Sequence, residues 1–509
     1  MAWAAALQAW LHPDAAAGIA RLPDPVSAAT PLFLVLVSLE AAVSWRRARA
    51  GKGPPLYNWR QTSSNLAAGT LAVLLGVFVK VLHLYPFLWL RSHGTALLPW
   101  LPQSSAAGWL GNAAALLVCD FGFYWQHRAQ HAANVLWAAH VAHHSSPDYN
   151  LSTALRQGAG EALFSWLFYL PMAFFCPPDV YALHRGLNTV YQFFVHTQLV
   201  GRCWWPIELV MNTPSHHRVH HARNYGRRNF AGILIVWDRL LGSFEEEQAS
   251  RPCVYGLDAS PIVQGTYNPL WHQAHHLVAT LRLAGSGKVP VWRALLTRAH
   301  GPGMVAPTVT DAEPPAGAPS STTAGTAGTA RSAAKGAPMA AAQPAQQPSQ
   351  AAVPPAGAGL STAFVSYPWE RRALGPLDWY AAASFFLVTL PCSLAYLLAA
   401  ADGILSPGWT LAGGAWAAWA VTGSAWLFGG MPAAQVHEMA RLLAQLGAVL
   451  GLLRWDALPP PLSSWLARGA AVLSLASLVF LYSQAAQLRQ ACGGTKTARA
   501  ASGQGKKAA

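Results

Sequence analysis

The chain has 509 residues, of which 53% are apolar and only 11% charged, with 23 tryptophans and a formal net charge of +14. So few charged groups cannot cover a globular surface, which argues against an ordinary soluble protein and makes a membrane protein the default. The basic residues sit in short loops and tails beside apolar segments and form no continuous face, so a nucleic-acid partner is not expected.

In chain order, residues 1–22 lack the charged start, apolar core and cleavage site of a secretory peptide. The first apolar run, Pro31–Trp45, reads as a membrane anchor. It ends in Arg46-Arg47-Ala48-Arg49-Ala50-Gly51-Lys52, a basic loop expected on the cytoplasmic side. A second segment covers Leu66–Leu90, with Lys80 and His83 inside it, and a third covers Trp109–Trp125. Two further apolar stretches lie between Glu161 and Val200, separated by Pro177-Pro178-Asp179, and are expected to form a helical hairpin or re-entrant pair. Residues 303–362 consist largely of Ala, Pro, Gly, Ser, Thr and Gln and read as a disordered linker. A second apolar block follows, with candidate helices at Trp379–Ala400, Trp409–Phe428, Leu442–Leu453 and Trp465–Ala485.

The expected fold class is therefore all-α: a polytopic membrane helical bundle plus a C-terminal membrane helical block. The expected divisions are an N-terminal segment (1–22), a membrane catalytic domain (23–302), the linker (303–362), the C-terminal helical block (363–492) and a basic tail (493–509). The tail ends Lys506-Lys507-Ala508-Ala509, which resembles the dilysine retrieval signal of endoplasmic-reticulum membrane proteins and implies a cytosolic C-terminus; the alternative is an ordinary basic tail. The six cysteines (Cys119, Cys176, Cys203, Cys253, Cys392, Cys492) include no C-x-x-C pair, so neither a disulfide framework nor a zinc ribbon is expected.

Three histidine clusters carry the chemistry: His127 and His131; His140, His143 and His144; and His217, His220 and His221. On a helix, residues three or four apart share a face, so His127 and His131 reach one metal from a single turn. His143 and His144 diverge by about 100°, which lets one cluster serve two neighbouring metals. Eight imidazoles suit two ions, each keeping a position for oxygen or water. Imidazole suits zinc, copper and iron alike. Zinc hydrolases add an acid, as in H-E-x-x-H, which is absent here. A histidine-rich pair of metals beside a lipid-facing cavity suits iron activating O2 against a C–H bond.

The patterns H-x-x-x-H, H-x-x-H-H and H-x-x-H-H resemble those of the fatty acid hydroxylase/sterol desaturase superfamily of membrane diiron enzymes. The blocks around them narrow the likeness: Trp137-Ala138-Ala139-His140, Tyr149-Asn150-Leu151-Ser152-Thr153-Ala154-Leu155-Arg156-Gln157, Tyr191-Gln192-Phe193, Asn212-Thr213-Pro214-Ser215-His216 and Ile235-Val236-Trp237-Asp238. They are similar to the alkylglycerol monooxygenase family, densely over about 117–257. That resemblance implies a tetrahydrobiopterin-dependent monooxygenase of the endoplasmic-reticulum membrane with a cytosol-facing active site. It would hydroxylate the ether-bearing carbon of an alkylglycerol, and the hemiacetal would collapse to a fatty aldehyde and a glycerol derivative. It implies two Fe ions on His127, His131, His140, His143, His144, His217, His220 and His221. His196 is a candidate ninth ligand, with a buried structural histidine as the alternative. Two departures stand out. The family commonly has an acid where this chain has Ala132, and an Asp-Lys-Asn-Tyr stretch where it has Tyr225-Gly226-Arg227-Arg228-Asn229-Phe230.

Among other candidates, Asp120 lies two helical turns before His127 on the same face and is expected to accept a hydrogen bond from a ligand imidazole; otherwise it is a helix-end acid. Asn150, Arg156 and Gln157 are candidates for headgroup or cofactor binding, or else capping and loop residues. Glu161 and Glu208 are alternative acids. A fourth H-x-x-H-H, His272, His275 and His276, reads as interfacial or structural, and His83, His184 and His216 are left outside the ligand set. Two readings compete with the ether-lipid monooxygenase: a sterol or fatty-acyl hydroxylase or desaturase fed by cytochrome b5, and a non-catalytic metal-binding membrane protein.

Overall fold

The computed structural model describes residues 24–93, 106–257, 266–287, 289–296, 375–401, 407–429, 434–454, 471–482 and 484. The expected linker, the N-terminal segment, the dilysine-like tail and the side chains of Lys80 and His83 lie outside the described residues. Among those described, every regular element is helical, and one isolated antiparallel bridge joins Met211 to Leu234.

Helix α1 (Pro25–Arg49) starts at Asp24, whose carboxylate accepts from the Ser27 N–H, with Pro25 at its first turn. Its last turn holds Arg46, Arg47 and Arg49, cations that suit the negative end of the helix dipole. The residues turned inward are Phe33, Val37, Glu40 and Ser44. Those turned outward are Leu32, Val35, Leu39 and Val43, each roughly half exposed. A row of exposed apolar side chains, with Glu40 and Ser44 turned inward, is the reverse of a soluble amphipathic helix. Among the described residues, α1 and Pro376–Leu394 are long and apolar enough to cross a membrane.

Helices α2 (Trp59–His93) and α3 (Ala106–Gln130) extend past the apolar runs that predict them. Between α3 and the next histidine-bearing helix, α4 (Asn134–His144), only a short turn intervenes. Asn150 then caps the single-turn α5 (Leu151–Ala154). The first of the two apolar stretches between 161 and 200 is a short helix, α6 (Glu161–Phe164), running into a 3-10 stretch, Ser165–Phe174. The second is α7 (Pro178–Val195), begun by Pro178, whose missing N–H costs nothing at a helix start. Phe87, Cys119, Tyr169, Met172 and Tyr181 form the core that packs these two stretches on α2 and α3. Helices α8 (Trp205–Val210), α9 (Pro214–His221), α10 (Val236–Leu240), α11 (Pro269–Gly285) and α12 (Val291–Leu296) follow.

The C-terminal part comprises α13 (Pro376–Ser384), a π-helical turn (Phe385–Thr389), α14 (Leu390–Ala401), α15 (Pro407–Phe428), α16 (Ala434–Arg454) and α17 (Ala471–Tyr482). The described N- and C-terminal parts lie in one compact unit. Leu66, Leu71 and Leu74 of α2 share a core with Phe385, Leu390, Ala417 and Val421. A buried ion pair, Arg60 Nη2 to Asp378 Oδ1 at 3.1 Å, joins the starts of α2 and α13.

Candidate metal centre

The three clusters converge, and His196 joins them. Five imidazoles (His127, His131, His140, His144, His220) form one group and four (His143, His196, His217, His221) a second; within each, one ring nitrogen per residue lies within 4.8 Å of the others. All nine are buried. The split follows helix geometry. Helix α4 gives its i, i+4 pair, His140 and His144, to the first group and His143 to the second. Helix α9 does the reverse, giving His217 and His221 to the second group and His220 to the first. The first group gains another i, i+4 pair, His127 in the last turn of α3 and His131 just past its end, whereas the second gains only His196, at the C-terminal end of α7.

The outer ring nitrogens fix the tautomers. His127 Nδ1 donates to the Phe230 carbonyl (2.9 Å), His143 Nδ1 to that of Arg156 (2.8 Å), His196 Nδ1 to that of Gln192 (2.6 Å) and His220 Nδ1 to that of Arg228 (2.8 Å). His140 Nδ1 faces Glu161 Oε1 at 2.6 Å. A carbonyl only accepts, so His127, His143, His196 and His220 carry their proton on Nδ1 and turn an Nε2 lone pair inward. Burial pushes His140 and His143 down to about 3, and it lowers His144, His217, His220 and His221 as well, so the rings stay neutral and able to ligate.

Inside the groups, Nε2 atoms face one another. His127 and His140 are 3.2 Å apart, and His140 and His144 are 3.1 Å apart. His196 lies 3.1 Å from each of His143, His217 and His221. His143 and His196 both hold their proton on Nδ1, so there two lone pairs meet with no proton between them. A cation removes that repulsion, and nitrogens bound at about 2.1 Å to one ion are spaced by about 3 Å. His131 Nε2 is likewise buried without a hydrogen-bond partner. The donor set is all imidazole and fits a first-row transition metal.

Two stretches that hold the rings work through backbone. In the Tyr225–Phe230 stretch, Asn229 adopts a left-handed conformation (φ 56°) that sends the flanking carbonyls of Arg228 and Phe230 to His220 and His127. Its side chain donates to the His216 and Glu245 carbonyls and accepts from the Glu245 N–H. The imidazoles meet carbonyls there, so the departure from the family sequence at 225–230 leaves their support in place. In the second stretch, Gly158 lies against α4 so closely that a Cβ would stand 1.7 Å from the Ala139 carbonyl, one residue before His140.

The sequence-predicted residues around the histidines fare differently. Asp120 does not meet an imidazole. Its carboxylate accepts from Asn188 Nδ2 (2.7 Å), the Ile233 and Leu234 N–H groups (2.7 and 3.0 Å) and Trp237 Nε1 (2.9 Å). Seven residues along a helix is about 10 Å, so sharing a face with His127 does not bring Asp120 within reach of its ring. Asp120 instead clamps the loop leading into α10. Glu161 is the acid on a ring of the five-histidine group, His140, and Glu208 holds His216 Nε2 at 2.8 Å. Burial raises the Glu208 carboxyl, but hydrogen bonds from His216, the Cys203 N–H and the Thr213 hydroxyl outweigh it and bring it to about 2.

Asn150 is a helix cap: Oδ1 accepts from Ser152, and Nδ2 donates to the Leu56 carbonyl. Arg156 is fully buried and donates to the Ala142 carbonyl, Ser145, Ser64 and Asn65, all neutral acceptors; burial without a carboxylate pulls it down to about 9. Its guanidinium ties α2 to α4 while its carbonyl holds His143. Gln157 Nε2 donates to the Ala154 carbonyl. His184, His216, His272, His275 and His276 are outside both groups. The last three are buried in α11 rather than interfacial, with the His276 ring 6.5 Å from that of Trp137.

Comparison with known proteins agrees with this geometry. Residues 112–243 match the fatty acid hydroxylase family model, a span that holds both histidine groups. Residues 112–243 are thus similar to a fatty acid hydroxylase domain. The chain's homologues include alkylglycerol monooxygenases. That of Homo sapiens is 44% identical over 261 residues, 50% of this chain and 55% of that protein. Those of Xenopus tropicalis and Danio rerio are each 42% identical, over 50% of this chain and 54% of theirs. The chain spans about half the length of the curated relatives it matches. No solved structure matches it.

Proposed function

We propose that the protein is a membrane-bound, O2-dependent lipid monooxygenase that holds two iron ions. The five-histidine group would hold one ion and the four-histidine group, His196 included, the other. The reading is carried by the facing Nε2 lone pairs of His143 and His196, 3.1 Å apart, in rings whose protons are engaged on the other side. The ions would supply reductive activation of O2 and its use against a C–H bond. The chain's own part is to keep the imidazoles neutral, aim them, and exclude water. Burial does the first, the Nδ1 acceptors the second, and the packed rings of Trp137, Tyr149 and Phe230 the third.

The substrate we propose is an alkylglycerol, on the strength of the homologues and the sequence blocks they share with this chain. Hydroxylation of the ether carbon would give a hemiacetal that separates into fatty aldehyde and glycerol derivative. Tetrahydrobiopterin is the proposed reductant. The proposed setting is multi-pass in the endoplasmic-reticulum membrane, with the metal centre and the C-terminus cytosolic. The outward apolar face of α1 and the basic turn at its end support a membrane setting.

The test is expression in a host lacking the activity, followed by alkylglycerol cleavage assays with and without tetrahydrobiopterin. Aldehyde should form only with the pterin, and His144→Ala, which removes a ligand from the first group, should abolish it. Activity restored by cytochrome b5 and its reductase without pterin would move the assignment to a sterol or fatty-acyl hydroxylase or desaturase. Metal bound without O2 uptake on any lipid would leave a non-catalytic metal protein. Full activity in His144→Ala would remove the dimetal assignment.

A further inference from the structure

Glu40 is an acid in the middle of an otherwise apolar helix, turned inward and 5% exposed. A carboxylate in such a place is costly and persists only where hydrogen bonds compensate it. Here three donors from three separate segments hold it. The Tyr57 hydroxyl donates to Oε2 at 2.5 Å and the Leu151 N–H to Oε2 at 2.8 Å, while the Thr197 hydroxyl donates to Oε1.

The third donor is the one next to the metal centre. His196 is the residue at which α7 stops, with φ −86° and ψ 57° outside the helical range. Its place therefore depends on what fixes the turn that follows. The Thr197 hydroxyl is held by Glu40 and accepts from the Leu199 N–H (3.0 Å), and the Thr197 carbonyl accepts from Arg218 Nη1 (3.0 Å). Gln198 Nε2 donates to the Tyr149 carbonyl (2.7 Å), and Phe33 of α1 stacks on Phe193 of α7 with ring centroids 4.1 Å apart. His196 in turn is the one member of the four-histidine group that comes from outside α4 and α9.

We propose that Glu40 is a positioning residue for the second metal: through Thr197 it sets His196 in the four-histidine group, so that a membrane helix helps to assemble the metal centre. The inference rests on the two-metal reading above. Removing the Thr197 arm leaves His143, His217 and His221, three ligands, while the five-histidine group keeps all of its own.

The test uses the full chain, purified in detergent, stripped of metal and titrated with Co(II). Bound metal is counted by mass spectrometry, with helical content and melting followed in parallel. The wild type should take up about two equivalents, as the nine-histidine arrangement implies. Thr197→Val and Glu40→Gln should keep the first equivalent and weaken the second by about 10–100-fold, the usual effect of losing an outer support of a metal ligand. Thr197→Ser, which restores the hydroxyl, should recover it. Tyr57→Phe, which removes a different arm of the same carboxylate, should lower the melting temperature and leave the second equivalent in place. Two equivalents bound with wild-type affinity by Thr197→Val would overturn the inference while sparing the two-metal reading. So would a loss in Tyr57→Phe equal to that in Thr197→Val. A wild type that binds fewer than two would overturn the two-metal reading itself.

Discussion

Glu161 is the carboxylate in contact with a proposed ligand ring, and replacing it separates two effects. Its Oε1 lies 2.6 Å from His140 Nδ1, and the His140 Nε2 lies 3.2 and 3.1 Å from those of His127 and His144, so His140 sits centrally in the five-histidine group. Glu161→Gln keeps an acceptor for the N–H and hence the tautomer, but loses the charge that makes the imidazole a stronger donor to metal. A hydrogen bond to a charged acceptor contributes about 1.5–3 kcal/mol against about 0.5–1.5 for a neutral one, so the glutamine variant should lose about 1 kcal/mol. The carboxylate side chain is 23% exposed, which screens part of its charge and places the loss in the lower half of that range.

One kcal/mol corresponds to a roughly fivefold weaker first metal equivalent. Glu161→Ala loses the acceptor too, about 2 kcal/mol in all, or a roughly 30-fold weaker equivalent, within the range seen for outer supports of metal ligands. The assay is competition for Co(II) between the protein in detergent and a chromophoric chelator. The order expected is wild type, then glutamine, then alanine. Wild-type affinity in the alanine variant, or a glutamine variant weaker than alanine, refutes the argument that Glu161 acts through His140.

Three further predictions concern the frame. Asp120→Asn leaves an amide N–H₂ facing a cluster of donors and should lower stability by about 3 kcal/mol, read as a fall in melting temperature, while metal stoichiometry stays that of the wild type. Gly232→Ala should weaken the same place, because its Cβ would lie 2.6 Å from both Asp120 Oδ1 and Asn188 Nδ2. At the α2–α13 junction, Arg60→Met or Asp378→Leu alone removes the partner of this ion pair from a buried charge (each side chain 3% exposed) and should cost about 3–5 kcal/mol. The double variant should recover most of that loss, as measured by thermal melting; equal losses in single and double variants would mean that the pair does not hold the junction.

Much of this protein was legible from local pattern. The apolar runs mark the helices because a helix needs only a continuous stretch of suitable residues, and α1, α2, α3 and α15 each contain the run that predicts them. The histidine clusters declare their faces because i, i+4 spacing is a property of one helix alone. The division of H-x-x-H-H between two groups follows from the same rule, and it is what α4 and α9 do in reciprocal fashion.

What the tertiary structure decided is everything that depends on approach between distant segments. Helical phase pointed to Asp120 as the partner of His127, yet an acid two turns away is too far along the axis. The acid that meets a ring of the two histidine groups, Glu161, comes from another helix, 21 residues beyond His140. The carbonyls of Arg228 and Phe230 carry no sequence signal, since any residue supplies a carbonyl; only the left-handed turn at Asn229 aims them. His196 and Glu40 were single residues without a spacing to mark them. They acquire meaning only because folding brings Glu40 against Thr197, 157 residues away, beside the ring that completes the second group.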